Sequence, residues 1–100
     1  MSKGRFAYEL SQKADQDLEE IFDYTVHNFG IEQAIAYVSG FEDLFVNLSN
    51  NPELGRKRNE IRDGLRSYVK KSHIVFYRVQ KGQIRIVRIL HGSQDLLKFR

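Results

Sequence analysis

The alternation of apolar and polar positions is clearest in the last third of the chain, where it predicts a β-hairpin. Two alternating runs, 74–79 and 84–90, flank the dipeptide Lys81-Gly82, whose glycine supplies the positive φ of a two-residue turn. The predicted pairs are Gln80 with Gln83, Val79 with Ile84, Arg78 with Arg85, Tyr77 with Ile86, Phe76 with Val87, Val75 with Arg88, Ile74 with Ile89 and His73 with Leu90. Both faces are largely apolar, so these strands are expected at the centre of a sheet that is covered on both sides.

The first half of the chain has the periodicity of two amphipathic helices, at 11–29 and 31–49. Ser11 is in an N-cap position, and Gly30 is a suitable terminator between the helices. The apolar stripes are Ala14, Leu18, Ile21, Phe22, Thr25 and Phe29 in the first helix, and Ala34, Val38, Phe41, Phe45 and Leu48, widened by Tyr37 and Leu44, in the second. The acidic residues of the first helix, which include Asp17, are predicted to lie on its other faces. The short break predicts an antiparallel helical hairpin.

The remaining segments complete an α+β fold with the order β-α-α-β-β-β. Residues 6–10 and 65–70 alternate as strands, and turn-forming residues fill 49–55 and 63–64. The N-terminal strand is expected to join the same sheet, because an isolated strand leaves its backbone polar groups unpaired. Residues 1–100 are therefore predicted to form a single domain, in which an antiparallel sheet packs against an N-terminal helical hairpin.

The composition argues against several classes of protein. The chain contains no Cys, which excludes a disulfide framework and a thiol nucleophile. No apolar run approaches the roughly 20 residues of a membrane span, and no signal-peptide pattern opens the chain, so a cytoplasmic location is expected. The three histidines are scattered and no Gly-rich phosphate loop is present, so neither a metal nor a cofactor is expected.

The charges are divided unevenly between the two halves of the chain. Residues 11–48 hold eight acidic side chains and one basic side chain, whereas residues 54–100 hold thirteen basic and three acidic side chains. One interpretation is that the basic half binds an anionic partner, either a nucleic acid or an acidic protein segment. The other is that the acidic helices and the basic sheet neutralise each other within the fold.

The candidate chemical groups lie on the predicted strands. They are Arg66, Arg78, Arg85, Arg88, His73 and His91, with Tyr68 and Tyr77 beside them. Arginine and histidine can cleave a phosphodiester without a metal, because arginine stabilises the charge of the transition state and histidine or tyrosine moves the proton of a 2′-hydroxyl. The simpler interpretation, which we favour from spacing alone, is that Arg88 and His91 pair with helix acids or with an acidic partner.

A series of short motifs, in order, resembles the ParE group of the RelE/ParE toxin superfamily over residues 5–95. The motifs are Ser11-x-x-Ala14-x-x-Asp17-Leu18-x-x-Ile21-x-x-Tyr24, Gly30 with Ala34-x-x-Tyr37, Asn51-Pro52-x-x-Gly55, Ile61-Arg62-x-Gly64-x-Arg66, His73-Ile74-x-Phe76-Tyr77, and Ile86-x-Arg88-Ile89-Leu90-His91 followed by Asp95. Each motif alone is weak, and the resemblance depends on their shared order and spacing.

This resemblance implies the toxin half of a bacterial type II toxin–antitoxin system with the β-α-α-β-β-β layout. The implied partner is a ParD-like antitoxin, in a hetero-oligomer, whose flexible C-terminal segment wraps the toxin. The implied target is DNA gyrase, which a ParE toxin inhibits by binding and without being an enzyme, so that DNA replication stops. Contact with operator DNA is expected only indirectly, through the antitoxin, and no membrane association is expected.

The expected contacts fall into two groups. Arg66, Tyr77, Arg88, Phe41 and Phe45 are the expected antitoxin-binding residues. Arg78, Arg85, Lys98, Phe99 and Arg100 are the expected gyrase-binding residues.

Two alternatives remain open within the resemblance. The RelE branch of the superfamily consists of ribosome-dependent mRNA endonucleases, whose catalytic groups lie on the basic face of the sheet. For that activity the catalytic residues would be Arg66, Arg85, Arg88 and His91. The other alternative is a protein that still binds an antitoxin but has lost its toxicity.

Overall fold

A computed structural model describes residues 8–92 of the chain, and within them two helices precede four of the five strands. A single 3-10 turn, Pro52–Leu54, follows the second helix. The elements are β1 (Tyr8–Leu10), α1 (Gln12–Phe29), α2 (Ile31–Asn50), β2 (Arg56–Lys57), β3 (Leu65–Lys70), β4 (His73–Gln80) and β5 (Gln83–His91). The predicted α+β order is confirmed, with one addition: Arg56 and Lys57, which lie between the predicted turns and were not assigned to a strand, form the short strand β2.

The five strands form one sheet in the order β1-β5-β4-β3-β2. The N-terminal strand joins this sheet as predicted, but it pairs with β5 in parallel, whereas the other neighbouring strands are antiparallel. Parallel pairing is possible here because a long connection, which contains both helices and the strands β2, β3 and β4, separates β1 from β5 along the chain. Residues from the two ends of the described chain therefore lie side by side.

The hairpin of β4 and β5 has the predicted register only near its turn. Gly82 has φ 77°, and the pairs from Gln80–Gln83 to Tyr77–Ile86 are as predicted. A β-bulge between Phe76 and Tyr77 leaves Val87 as an extra residue on β5, so every predicted pair beyond it is wrong by one position. The observed pairs there are Phe76 with Arg88, Val75 with Ile89, Ile74 with Leu90 and His73 with His91.

The two helices begin and end close to the predicted residues. Ser11 is the N-cap of α1, and its Oγ accepts a hydrogen bond from the N–H of Ala14 at 2.9 Å. Gly30 separates the helices with φ 96°, a value that a residue with a Cβ rarely adopts, and its N–H donates to the carbonyl of Val26 at 2.9 Å. The apolar stripe of α1 differs from the prediction at two positions, because Asp17 is buried and Phe29 is 66% exposed.

The main core lies between the helices and one face of the sheet. Its fully buried aromatic side chains are Phe41 and Phe45 of α2 and Tyr77 of β4. A smaller cluster on the other face contains Leu65, Phe76 and Leu90, with Ile61, Ile74 and Val87 packed against it. The guanidinium of Arg58 lies 5.8 Å from the centre of the Phe76 ring. Both faces of the central strands are therefore covered, as their apolar pattern predicted.

The motif Asn51-Pro52-x-x-Gly55 owes its spacing to the buried ring of Tyr77. The Tyr77 hydroxyl accepts a hydrogen bond from the N–H of Gly55 at 2.8 Å and donates one to the carbonyl of Pro52 at 2.7 Å. Burial raises the pKa of Tyr77, so the hydroxyl keeps the proton that it donates. A Cβ on Gly55 would lie 2.6 Å from Cε1 of that ring, so only glycine fits at this position.

We predict that Gly55→Ala destabilises the protein by about 2 kcal/mol, because the added methyl group overlaps a buried aromatic ring that has no room to move. Urea unfolding followed by circular dichroism measures the effect. Gly40→Ala is the matched control: the nearest atoms are the Nζ and Cε of Lys70, at 3.0 and 3.1 Å, on a flexible side chain. Since alanine also favours the helix, this variant should be neutral or more stable. Equal losses in both variants would contradict the explanation.

Candidate partner-binding groove

Asp17 joins the first helix to the last strand through three hydrogen bonds. Its Oδ2 accepts from Arg88 Nε at 2.8 Å and from the N–H of Ile89 at 2.9 Å, and its Oδ1 accepts from Arg88 Nη2 at 2.9 Å. Both side chains are largely removed from solvent. The hydrogen bond to Asp17 raises the pKa of Arg88. The expectation that Arg88 pairs with an acid from the helices is confirmed, and the expectation that Asp17 faces away from the core was wrong.

The contact between Asp17 and β5 also provides a hydrogen-bond partner for the backbone at one edge of the sheet. Strand β1 pairs with β5 only as far as Ile86, so the backbone of β5 beyond that point has no neighbouring strand on this side. Ser11 continues the pairing, because its N–H donates to the carbonyl of Ile86 at 2.9 Å and its hydroxyl donates to the carbonyl of Val87 at 2.8 Å. Asp17 then accepts from the next free N–H, that of Ile89. The start of α1 therefore replaces a strand at this edge.

The other three arginines of the basic set are also bound within the protein. Arg66 donates through Nη1 to the carbonyls of Gly55, at 2.6 Å, and Glu53, at 3.4 Å. Arg78 donates to the carbonyl of Asp63 at 3.4 Å, and Arg85 forms an ion pair with Glu9 at 2.6 Å. These guanidinium groups thus hold loops and strand β1 against the sheet. Of the three, only Arg85 is neutralised by a carboxylate, because backbone carbonyls accept hydrogen bonds without cancelling the charge.

A groove of about 980 Å³ runs between α1, the start of α2 and one end of the sheet. One wall is α1, which contributes Ile21, Tyr24 and Phe29. The opposite wall is the turn between β3 and β4 together with the end of β5, and its residues are Lys70, Lys71, Ser72, His73, Arg88 and His91. Tyr24 and Phe29 are each 66% exposed. The α1 side of the groove thus combines exposed aromatic rings with charged residues that include Lys13 and Glu20, whereas the other side is basic. This arrangement suits a partner that carries apolar side chains and carboxylates on different sides.

The two histidines of the basic wall contact each other, and one of them also contacts a tyrosine of α2. His73 lies opposite His91 in the sheet, with 5.4 Å between the ring centres, and the Nδ1 of His73 is 2.7 Å from the hydroxyl of Tyr37. Burial, and secondarily the charge of His91, lowers the pKa of His73. This arrangement exists only because the bulge shifts the register, since the predicted register paired His73 with Leu90.

The structure places the expected antitoxin-binding residues in different environments. Phe41, Phe45 and Tyr77 have no exposed surface, because they fill the core beneath the helices, and so a partner does not reach them in this conformation. Arg88 lines the groove with its guanidinium held by Asp17. Arg66 is partly exposed beside the Gly55 turn, outside the groove.

The expected gyrase-binding and catalytic residues are also dispersed. Arg78 and Arg85 lie opposite each other in the hairpin of β4 and β5, whereas Lys98, Phe99 and Arg100 lie outside the described residues. Of the four catalytic residues considered for a ribonuclease, only Arg88 and His91 line the same groove. Arg66 is two strands away from β5, which corresponds to about 10 Å across the sheet.

Several residues of the groove have no distinctive pattern in the sequence. Tyr24, Phe29, Tyr37, Lys70 and Lys71 were not among the expected contacts, although they line its two walls. The aromatic residues fit a helical core stripe equally well, and the lysines adjoin a turn that has neither Gly nor Pro. A sequence signal for Tyr24 and Tyr37 exists only in the toxin motifs quoted above.

No candidate metal site or membrane-spanning helix is found in residues 8–92. This part of the chain contains no group of three or more histidine, aspartate or glutamate side chains that could hold a metal ion. Within the same range, neither helix is long and apolar enough to cross a bilayer.

Fold and groove together define an α+β toxin of the RelE/ParE type, as the motifs indicated. The chain belongs to the ParE toxin family: the family described as "ParE toxin of type II toxin-antitoxin system, parDE" matches residues 8–96. The chain is thus a type II toxin of the ParE kind, as the resemblance implied.

Individual relatives agree with this assignment. Toxin ParE1 of Mycobacterium tuberculosis is 40% identical over 90 residues, which cover 89% of this chain and 92% of the relative. Toxin ParE1 of Caulobacter vibrioides is 34% identical over 88 residues, covering 88% and 91% of the two chains. A solved structure titled "Chromosomal ParDE TA system from P. aeruginosa" is similar with a TM-score of 0.74 and 25% identity, over 86% of this chain and 95% of that one.

We predict that Asp17→Asn destabilises the protein by about 3 kcal/mol, because it leaves the largely buried guanidinium of Arg88 without its counter-charge. Urea unfolding measures the loss. Asp23→Asn, an exposed change on the same helix, should alter stability by less than about 0.5 kcal/mol. A double-mutant cycle with Arg88→Gln should return a coupling energy for the pair; additive losses would contradict a direct interaction.

We also predict that stability declines as the pH falls below about 6.5, the pKa of histidine in an unfolded chain. The pKa of His73 is lower in the folded protein, so the unfolded chain binds more protons in this range and acid favours unfolding. Above that pH, His73 is neutral in both the folded and the unfolded state, so it contributes no pH dependence to the free energy of unfolding. Unfolding curves between pH 5 and pH 8 test the effect, and His73→Gln should make the dependence shallower. An unchanged pH slope in that variant would assign the dependence to other groups.

Proposed function

We propose that this toxin inhibits DNA gyrase by binding it, and that a ParD-like antitoxin neutralises the toxin by occupying the groove. The observation that carries the proposal is the match of residues 8–96, which include every described residue, to the ParE family. Inhibition by binding needs a stable surface and no catalytic machinery, and it agrees with arginine side chains that are bound to carbonyls and carboxylates of their own chain.

The groove is the surface that supports antitoxin binding best. Its aromatic wall offers Tyr24 and Phe29 to apolar side chains, and its basic wall offers charges to acidic ones. A flexible segment that orders on binding must bury large anchors to offset the entropy that it loses, and exposed aromatic rings beside an open groove provide such contacts. Of the residues expected to bind the antitoxin, Arg88 is the one that lines this groove.

The proposed gyrase-binding residues lie on other parts of the protein. They are Arg78 and Arg85 on the hairpin of β4 and β5, with Lys98, Phe99 and Arg100 outside the described residues. Arg85 is paired with Glu9, whereas Arg78 is held only by a hydrogen bond of 3.4 Å to the carbonyl of Asp63. Arg78 is therefore the described residue that can turn toward the target at least cost. Operator DNA would be contacted only through the antitoxin.

A second candidate function is ribosome-dependent mRNA cleavage, and one observation favours it. Arg88, His73 and His91 line the same groove, so a positive charge and two proton-transfer groups are close to one another. Against this candidate, Arg88 is already neutralised by Asp17, which leaves it less able to stabilise a phosphate transition state.

The decisive experiment is a gyrase supercoiling and cleavage assay with the purified toxin. We predict that the toxin inhibits supercoiling or increases cleaved DNA, and that equimolar antitoxin reverses the effect. Arg78→Gln should require a severalfold higher concentration, because one charged contact is lost, whereas Lys13→Gln, a change in the groove, should inhibit like the wild type. Unaffected gyrase together with mRNA cleavage on ribosomes, abolished by His91→Ala, would overturn the proposal in favour of the second candidate.

A further inference from the structure

The turn between β3 and β4 is strained at a lysine. Lys71 has φ 53°, and it is the one residue other than glycine with a positive φ among residues 8–92. A side chain with a Cβ is disfavoured in this conformation, and glycine or asparagine is the usual residue. The neighbouring two-residue turn, between β4 and β5, has Gly82 at its positive-φ position. One hairpin turn of this chain therefore has glycine at its positive-φ position, whereas the other has a lysine, which lowers the stability of the fold.

The strained lysine lies on the basic wall of the groove. Among residues 8–92 it has neither a hydrogen bond nor an ion pair, in contrast to the four sheet arginines. Its neighbour Lys70 holds its ammonium 5.8 Å from the ring centre of Tyr37 and 5.7 Å from that of Phe41. Lys70 thus contacts aromatic rings beside the groove, while the side chain of Lys71 is left available for a ligand. Residues with a disfavoured backbone conformation cluster in tight turns and at binding sites, and Lys71 lies both in a turn and on the groove.

We propose that Lys71 is a specificity-determining contact of the groove, which with Lys70 binds the carboxylates of an amphipathic acidic segment. The apolar side chains of that segment would pack on Tyr24 and Phe29, which are 66% exposed on the opposite wall. This occupant follows from the two walls, because a purely apolar segment leaves the lysines unmatched. A nucleic acid could stack its bases on the aromatic rings, but it carries a charge on every phosphate, and Glu20 on the α1 side of the groove repels such a chain. A segment with carboxylates on one side only keeps them near the lysines and away from Glu20.

The inference rests on the proposed function, since it takes the antitoxin to be the protein that provides the segment. The bound segment would also have a defined orientation about its own axis, with its acidic side chains facing the turn between β3 and β4 and its apolar side chains facing α1. The contact with the segment also explains why a lysine is present where glycine would make a more stable turn: the charge contributes to partner recognition and the strain is its cost.

The test compares three variants of the full chain in binding to a purified ParD-like antitoxin, measured by calorimetry at low and high salt. Lys71→Gln should weaken binding by about fivefold at low salt, as expected for one charged contact, and by less at high salt. Lys71→Gly should weaken binding equally and raise the melting temperature by a few degrees, because the strain is removed. Lys81→Gln, at the other hairpin turn and outside the groove, is the matched control and should bind like the wild type.

Each outcome supports or overturns one part of the proposal. Unchanged affinity in Lys71→Gln would overturn the contact, and a lower melting temperature in Lys71→Gly would overturn the strain argument. Loss of gyrase inhibition in Lys71→Gln with intact antitoxin binding would assign the groove to gyrase. An antitoxin that fails to bind the wild-type protein would refute the proposed function, and would be distinguished in this way from a failure of the Lys71 assignment.

Tyr24→Ser should also weaken binding, but independently of salt.

Discussion

The carboxylate of Asp17 is the interaction on which the arrangement of the helices over the sheet depends. It accepts hydrogen bonds from Arg88 and from the backbone of Ile89, next to the bulge in β5. Ser11, one and a half turns earlier, occupies the neighbouring part of the same strand edge. A helix that begins at Ser11 and places an acid six residues later can thus satisfy the part of β5 that β1 is too short to reach.

Local patterns predicted the elements well, and long-range contacts account for the errors. The turn at Gly82 fixes the pairs close to it, because few residues separate them. The bulge beyond Tyr77 lies where β5 meets α1, and no alternation within the hairpin contains that information. Asp17 was assigned to a solvent-facing position because periodicity treats a carboxylate as polar, whereas its partner is 71 residues away. Gly55 likewise could be recognised as a turn residue, but its need to avoid the Tyr77 ring could not.

The candidate site shows even more strongly that local patterns can be predicted from the sequence whereas long-range contacts cannot. The sequence indicates which half of the chain is basic, but it does not tell a guanidinium bound to a carbonyl from one that is free. In the structure, the arginines on the strands hold loops and strand β1 in place, and the lysine at the turn between β3 and β4 is left for a ligand. Arginine suits the first role because its planar fork matches fixed acceptors, and lysine suits the second because its stem is flexible. Positive charge in this fold therefore has two separate uses.

The pairing of β1 with β5 has a consequence for when the protein can fold during its synthesis. Tyr8–Leu10 and Asp17 are made early, yet their partners, Ile84–Ile86, Arg88 and Ile89, are among the last described residues to be added. In a nascent chain without β5, the carboxylate of Asp17 has no partner and the strand β1 is unpaired. The complete fold therefore cannot form until β5 has been synthesised. The contact between Asp17 and β5 can therefore form only after nearly all of the described chain has been made.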